Sequence, residues 1–322
     1  MTGMPVFAKL HPHRIQEGIE RISLDDDDDD EQPNVQSLSI LPYRSMDRLN
    51  AECLADFIHQ ATSVSDLHLH CSLNEQDGAD TVLAEMLQES DHMQRMFWHG
   101  GMATEQEEVI LNCLQTGLAL NQSVQALHLS KFDFSANRLR FLLKNLLQSK
   151  VDLRRLTFLF CHFGPNIACL LDGLKAQQQL QHLKLSCALS DGNVASILQT
   201  QVHSPCLVAL HLETCQLQEE SYQVLESLLQ TTSTLEELHV PGQFLSSCPQ
   251  RRARFRSVLQ HHNTTLQRLY IARSRVNHPT VEACLQRNRT MARVSGLLRQ
   301  PPPPARQQRG RGKNHSSSSN NN

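Results

Sequence analysis

The chain has 322 residues, a formal net charge of −3 and 39% hydrophobic residues. No apolar run approaches the roughly 18 residues that would cross a bilayer, and residues 1–10 lack the apolar core of a signal peptide. These features exclude the membrane class and favour a soluble, intracellular protein. The ten cysteines then indicate packing in a reducing compartment rather than disulfides.

Residues 1–34 form an acidic segment. They contain three basic and nine acidic residues, and Asp25 to Glu31 is an uninterrupted acidic run. Like charges at this density repel one another and stay solvated, so we expect a largely disordered segment rather than a binding element. The charges of residues 35–298 nearly balance, and the isoelectric point therefore says little about a partner.

One apolar pattern recurs nine times between residues 35 and 298. Its units begin about 29 residues apart on average, a period typical of solenoids, in which each unit packs only on its neighbours. The nine apolar triplets are Val35/Leu38/Ile40, Val64/Leu67/Leu69, Met93/Met96/Trp98, Val124/Leu127/Leu129, Leu153/Leu156/Phe158, Leu180/Leu183/Leu185, Leu207/Leu210/Leu212, Leu235/Leu238/Val240 and Leu266/Leu269/Ile271.

Each unit combines two hydrophobic spacings. The last two residues of a triplet alternate as in a strand, and a helical i, i+3, i+4 spacing follows, as in Leu54/Phe57/Ile58 and Leu143/Leu146/Leu147. One strand and one helix per unit predict a parallel sheet with helical crossovers. Since stacked helices need about 10 Å and strands about 4.8 Å, the sheet should curve with its strands on the concave side.

The segment from Leu207 to Leu217 resembles the leucine-rich-repeat consensus at every apolar position, with Cys215 at the turn site. The segment from Leu153 to Phe163 matches almost as well, with Cys161 at its turn. The resemblance covers roughly residues 35–294, and its period and helical half are similar to the ribonuclease-inhibitor-like subclass. It implies an α/β leucine-rich-repeat solenoid, a horseshoe of about nine repeats with strands concave and helices convex.

The two ends of a solenoid need caps. We expect the segment before Val35 to cover one end. For the other end, apolar residues follow the last triplet at helical spacing. The expected C-terminal cap is Val281, Cys284, Leu285, Met291 and Val294.

In each strand, the residue between the two core positions should point out of the concave wall. Four of these nine residues are histidines, and Phe97 and Tyr270 are candidate aromatic anchors. With flanking positions on the same face, they predict a partner-binding surface. Its residues are His68, Arg95, Phe97, His128, Arg154, Arg155, Lys184, His211, Glu213, Glu237, His239, Arg268 and Tyr270.

The concave histidines suggest three roles. His211 and His239 should be neighbours across strands, but zinc requires three or four ligands, and neither a C-x-x-C pair nor an H-E-x-x-H helix accompanies them. We therefore predict no metal site and no cofactor. Binding that responds to pH is a second hypothesis, because imidazole titrates near neutrality. Plain polar and ring contacts to a protein partner are favoured.

Enzymatic function is not predicted, since the chain contains no G-x-S-x-G, G-x-x-x-x-G-K-[ST] or G-x-G-x-x-G sequence. The favoured function is a non-enzymatic protein-interaction scaffold, expected to be monomeric, for a partner of unknown identity. Ran GTPase-activating proteins resemble the chain in repeat type, which makes regulation of a small GTPase an alternative. Their acidic stretch follows the repeats, whereas here it precedes them.

Residues 299–322 form a basic tail with five basic residues and no acidic ones. Four prolines, an Arg-Gly-Arg-Gly sequence and runs of Ser and Asn predict a disordered tail. Weak RNA association through this tail is a second alternative, although five charges without interleaved aromatic residues would only assist. We expect a cytoplasmic protein, with a nuclear location if the tail acts as a weak import signal.

Overall fold

One sheet organises the molecule. The computed structural model describes residues 36–40, 45–73, 75–101, 103–202, 204–242, 248–271, 274–275 and 278–299. Their ten strands lie in the sheet in chain order, β1 to β10. The strands β1 to β9 pair in parallel, and β10 returns antiparallel to β9. The acidic segment 1–34, Val35 with the expected N-terminal cap, and the tail from residue 300 lie outside the described residues.

Strands and helices alternate along the described chain, and a short 3₁₀ helix, Glu75–Asp77, precedes α2. The elements are β1 (Gln36–Ile40), α1 (Arg48–Gln60), β2 (Val64–Leu69), α2 (Ala79–Glu89), β3 (Arg95–His99), α3 (Thr104–Ala119), β4 (Ala126–Ser130), α4 (Asn137–Ser149), β5 (Arg155–Leu159), α5 (Ala168–Ala176), β6 (His182–Ser186), α6 (Asp191–Gln201), β7 (Ala209–His211), α7 (Glu219–Thr231), β8 (Glu237–Val240), α8 (Pro249–His261), β9 (Arg268–Ile271), β10 (Ser274–Arg275) and α9 (Pro279–Arg299).

The predicted triplets form the strand side of the core. From Val64 to Leu269, every triplet residue is buried. The outermost ones, Ile40 and Ile271, are half-buried and pack on the same core. The alternation therefore correctly predicted which strand face packs against the helices, and the fold is a leucine-rich-repeat α/β solenoid of about nine repeats. In the described part of the chain, no helix combines the length and apolar character needed to cross a bilayer.

The helices pack side by side on the opposite layer. The predicted faces are buried, as at Leu54 and Ile58 in α1. Glycines permit two close approaches between neighbouring helices. A Cβ at Gly117 in α3 would lie 2.7 Å from the Cβ of Leu87, and a Cβ at Gly173 would lie 2.7 Å from the Cδ1 of Leu147. Any larger residue at either position would force the helices apart.

Buried amide side chains join successive repeats at the helix ends. Asn121 donates from Nδ2 to the carbonyl oxygens of Leu87 (2.7 Å) and Ser90 (2.8 Å) in the preceding repeat. Its Oδ1 accepts from the backbone N–H of Val124 at 2.7 Å. Asn263 makes the equivalent bonds to the last turn of α7 and to its own loop. These contacts satisfy C-terminal helix carbonyls that otherwise lack intrahelical partners.

The turn-site cysteines make a second set of links between repeats. The thiols of Cys161, Cys187 and Cys215 are buried and donate to carbonyl oxygens of the preceding strand at 3.4, 3.4 and 3.5 Å. All ten cysteines are free thiols. Cysteine fits this position because it is small and carries a weak donor.

The expected C-terminal cap is correct only in part. Val281, Cys284 and Leu285 in α9 are buried against the last repeat. Met291 and Val294 are 56% and 49% exposed, so their assignment to the cap was wrong. The reason is length: α9 has 21 residues but packs on α8, which has 13, and its second half extends beyond that neighbour.

Replacing Leu210 with alanine should lower the free energy of unfolding by about 2–5 kcal/mol, because its side chain is fully buried in β7 and leaves a cavity. Leu120→Ala is the matched control, since the Leu120 side chain is 70% exposed and its truncation should hardly change the free energy of unfolding. Chemical denaturation of both variants measures the difference. Equal losses would contradict the burial pattern.

Asn121→Ala should lower the free energy of unfolding by about 1–3 kcal/mol, because it removes the bond to the carbonyl oxygen of Leu87 and the bond from the N–H of Val124 in the core. The carbonyl oxygen of Ser90 keeps its bond from Oγ of Ser123. The exposed neighbour Gln122 provides the control substitution to alanine. A loss no greater than that of the control, measured by urea titration, would show that water replaces the amide at no cost.

Candidate functional site

The predicted outward residues form one continuous line across the strands, here called the central row. Strand register pairs each with the next. The row comprises Ser39, His68, Phe97, His128, Thr157, Lys184, His211, His239 and Tyr270. Two residues earlier on each strand, a flanking row of the same face comprises Ser37, Asp66, Arg95, Ala126, Arg155, His182, Ala209, Glu237 and Arg268.

Three rings at one end of the central row form the N-terminal stack. The ring centroids of His68 and Phe97 lie 3.8 Å apart with planes 7° from parallel. Those of Phe97 and His128 lie 4.0 Å apart at 22°. Parallel strands impose this arrangement, because they hold equivalent side chains about 4.8 Å apart along the sheet.

Three further rings form the C-terminal stack. His211 and His239 have centroids 3.8 Å apart at 19°, and His239 and Tyr270 have centroids 4.2 Å apart at 24°. Within both stacks, neighbouring rings cover each other's faces. The rings therefore present mainly their edges to the concave space, where Phe97 and His128 are half-buried.

A buried carboxylate lies beside the N-terminal stack. Asp66 accepts from Nε of Arg95 at 2.7 Å and from Oγ of Ser65 at 3.1 Å. Its side chain is buried, so the arginine compensates a charge that would otherwise be costly in this position. This pair fixes Arg95 against the wall. The outward interpretation of the sequence did not include Asp66.

A second carboxylate organises the C-terminal stack. Oε1 of Glu237 lies 3.2 Å from Nε2 of His211 and 2.6 Å from Nε2 of His239. Its Oε2 accepts from Nε of Arg268 at 2.8 Å. Glu213 approaches from the other side, with Oε1 4.0 Å from Nδ1 of His239. Both predicted glutamates thus belong to one histidine cluster.

Three cations lie between the two stacks: Arg154, Arg155 and Lys184, here called the central cations. Arg155 and Lys184 are half-buried on β5 and β6, while Arg154 precedes β5 and is exposed. Among the described residues, none of the three has a carboxylate within ion-pair distance. The structure therefore places the predicted residues of β2 to β9, together with Glu213, on one wall, and it divides them into two ring clusters and a basic centre. Arg154 lies at the edge of this centre, directly before β5.

Burial favours the neutral imidazole at His68, His128 and His211. It lowers the pKa of His68 to about 4 and that of His128 to about 3. Burial also lowers the pKa of His211, against the opposing effect of its hydrogen bond to Glu237. For Glu237, burial alone would raise the pKa, but the bonds from His211, His239 and Arg268 hold it well below its usual range. Neutral rings can stack closely without charge repulsion.

The thiol of Cys71 lies next to the wall, but its burial makes it a poor metal ligand. The side chain is buried, and burial raises the pKa of the thiol to about 12.

Comparison with known proteins adds a limited result. No protein-family model matches the chain. A mouse protein, NACHT, LRR and PYD domains-containing protein 4E, is 29% identical over 131 residues, which cover 40% of this chain and 13% of that relative. The chain thus corresponds to a small part of the length of the relative it matches.

Two solved structures resemble the chain weakly. Leiomodin-1 Actin-Binding Site 2 has a TM-score of 0.39 and 14% identity, covering 62% of this chain and 96% of that one. The Caenorhabditis elegans tropomodulin C-terminal domain has a TM-score of 0.36 and 15% identity, covering 59% and 98%. Similarity at this level gives no information about a partner.

The lowered pKa values of His68 and His128 predict their behaviour in acid. As the pH is lowered from about 6.5 to 4, these histidines take up protons in the unfolded chain but not in the folded chain. The free energy of unfolding therefore decreases as the pH decreases. His128→Phe keeps a ring in the stack and should reduce this fall by at least roughly 1 kcal/mol.

Denaturant titrations of wild type and His128→Phe at pH 7 and pH 4.5 measure the difference. His162→Phe, at an exposed position, controls for loss of a histidine as such. NMR of the folded protein should show no titration of His68 or His128 between pH 7.5 and 5.5. An imidazole resonance of either residue that titrates near pH 6.5 would contradict the assignment of neutral stacked rings and restore the pH-sensing hypothesis.

Proposed function

We propose that the chain is a protein-interaction scaffold whose concave wall binds an acidic segment of a protein partner. The observation that carries this proposal is the basic centre: Arg154, Arg155 and Lys184 lie on one wall without a carboxylate partner among the described residues. Other cations of the wall, Arg95 and Arg268, are already paired. The central cations are therefore the charges still available to a partner.

Arginine favours a carboxylate-bearing partner. Its planar guanidinium can donate two parallel hydrogen bonds to one carboxylate, which adds geometric specificity to the charge attraction. Arg155 and Lys184 project from strands of a rigid sheet, so little side-chain motion has to be frozen at their bases on binding. An acidic segment crossing the wall would contact both residues together.

The stacks on either side provide the apolar part of the interface. Ring edges of Phe97 and Tyr270 would lie beside a bound segment, and aromatic residues with arginines supply most of the binding energy in typical protein interfaces. The stacked geometry also favours protein over nucleic acid. Nucleobases bind by stacking on ring faces, and within these stacks the faces cover one another.

The repeat scaffold is consistent with this role. A period of about 29 residues, a helix in each described repeat and a partial match to a mouse protein whose name includes LRR domains support assignment to the ribonuclease-inhibitor-like subclass. The open sheet of the described residues offers a long continuous surface. We infer a scaffold without catalytic activity, working inside the cell.

Replacing Arg154, Arg155 and Lys184 with alanine together should weaken partner binding while leaving thermal stability nearly unchanged, because none of them forms an ion pair with another described residue. Affinity capture compared by mass spectrometry identifies proteins that wild type retains and the triple variant loses. Each such protein is then purified, and calorimetry should show an affinity about 10–100-fold weaker for the triple variant.

The control removes the same charge from the helical layer, with Arg138, Lys175 and Arg252 changed to alanine. It should bind the purified partner as wild type does. Equal affinity for wild type and the concave variant would refute the proposal. So would single-stranded RNA binding that the concave variant loses while protein binding persists, since the wall would then be a nucleic-acid site.

A further inference from the structure

We propose that His211, Glu237 and His239 form a binding site for a divalent transition-metal ion, with Zn²⁺ as the ion that their donor atoms fit best. One potential ligand atom from each residue lies within 4.8 Å of the other two. The site is separate from the central cations, and its existence does not depend on the proposed partner.

The sheet preorganises these three residues. His211 on β7 is the register partner of His239 on β8, and Glu237 precedes His239 by two residues on the same strand face. All three therefore point the same way from two hydrogen-bonded strands. Sites on rigid strands hold their ligands more precisely than sites on loops. Sequence spacing predicted only the two histidines as neighbours, because a third ligand could not be recognised among the charged residues of the wall.

The donor set selects the type of ion. Two imidazole nitrogens and one carboxylate oxygen are common ligands of Zn²⁺, and three protein ligands leave a fourth position for water. Ca²⁺ and Mg²⁺ require mainly oxygen ligands and near-complete shells, which this cluster does not provide. The histidine side chains are 20% and 15% exposed, so the cluster opens toward the concave space where water can complete the coordination.

Two nitrogen atoms of the cluster make no hydrogen bond among the described residues. Nδ1 of His211 and Nδ1 of His239 are buried and make no hydrogen bond within the described structure. Both Nε2 atoms meanwhile face the same oxygen of Glu237. Two half-buried imidazoles directed at one carboxylate oxygen, each with a buried second nitrogen that makes no hydrogen bond among the described residues, make a poorly satisfied polar cluster.

Metal binding would improve this arrangement once the stacked rings of His211 and His239 tilt toward one ion. Each ring would carry a proton on Nδ1, and its Nε2 would offer a lone pair to the ion. Oε1 of Glu213 lies 4.0 Å from Nδ1 of His239, close enough to accept that proton after a small shift. A carboxylate behind a ligating histidine is a recurrent feature of zinc sites.

Arg268 fixes the carboxylate without occupying its ligand atom. Its Nε bonds Oε2 of Glu237, whereas Oε1 faces the two imidazoles. The Arg268 side chain is 53% exposed, so its charge remains partly screened by water when a cation binds nearby.

The test is a titration of the purified, reduced full-length chain with Zn²⁺ by calorimetry, followed by Co²⁺ as a spectroscopic substitute. Wild type should bind one equivalent that His239→Ala and Glu237→Gln each weaken at least about tenfold. His68→Ala is the matched control: it removes a central-row histidine that also lies next to a paired carboxylate, and it should leave binding unchanged. Excess Mg²⁺ or Ca²⁺ should not compete.

Circular dichroism checks that the variants are folded, and Glu237→Gln, which conserves side-chain volume, keeps the test decisive if His239→Ala unfolds. The visible spectrum of the Co²⁺ form should lack thiolate charge-transfer absorption. Unchanged affinity in Glu237→Gln, or thiolate absorption from the bound ion, would overturn the site. The triple variant at Arg154, Arg155 and Lys184 should retain metal binding. A failure of the proposed partner interface would therefore not count against the metal site.

Discussion

The in-register stacking of parallel strands is the constraint on which the rest of the structure depends. It places residues that occupy the same position in successive repeats about one strand spacing apart, roughly 4.8 Å. On the helix-facing side this aligns leucines into a continuous core. On the other side it aligns rings, as in His68 and Phe97. The same strand spacing therefore produces both the packed core of the solenoid and the proposed binding surface.

The same rule restricts which side chains the wall can hold. Two protonated histidines in contact, as close as His211 and His239, would repel each other strongly in a partly buried position. Burial instead favours neutral rings, and it lowers the pKa of His211 as well as those of the N-terminal stack. Formal charges on the wall are held either by compensating pairs, such as Asp66 with Arg95, or at the centre between the stacks.

Sequence periodicity predicted the repeats, the strand and helix order and the outward row, because spacings of two and about 3.6 residues translate directly into faces. It could not predict contacts that depend on side-chain placement across strands, such as the shared bond of Glu237 with two histidines. Asn121 shows the limit clearly: in sequence it belongs to an Asn-X-Ser motif, and only the fold reveals it as a buried link between repeats. Met291 was misplaced because apolar spacing marks a helix face but not where the neighbouring helix ends.

The two proposed binding features are adjacent and favour the same kind of partner group. Lys184 on β6 is the register partner of His211 on β7, so the basic centre lies one strand from the histidine cluster. A carboxylate suits both places, since it pairs with lysine and arginine and is also a good ligand for Zn²⁺. Glu237 by itself would repel an acidic segment at this edge, but Arg268 and a bound cation would both offset its charge. The polarity of the wall, basic at its centre and carboxylate-bearing at the C-terminal stack, would then fix the direction in which an acidic segment lies across it.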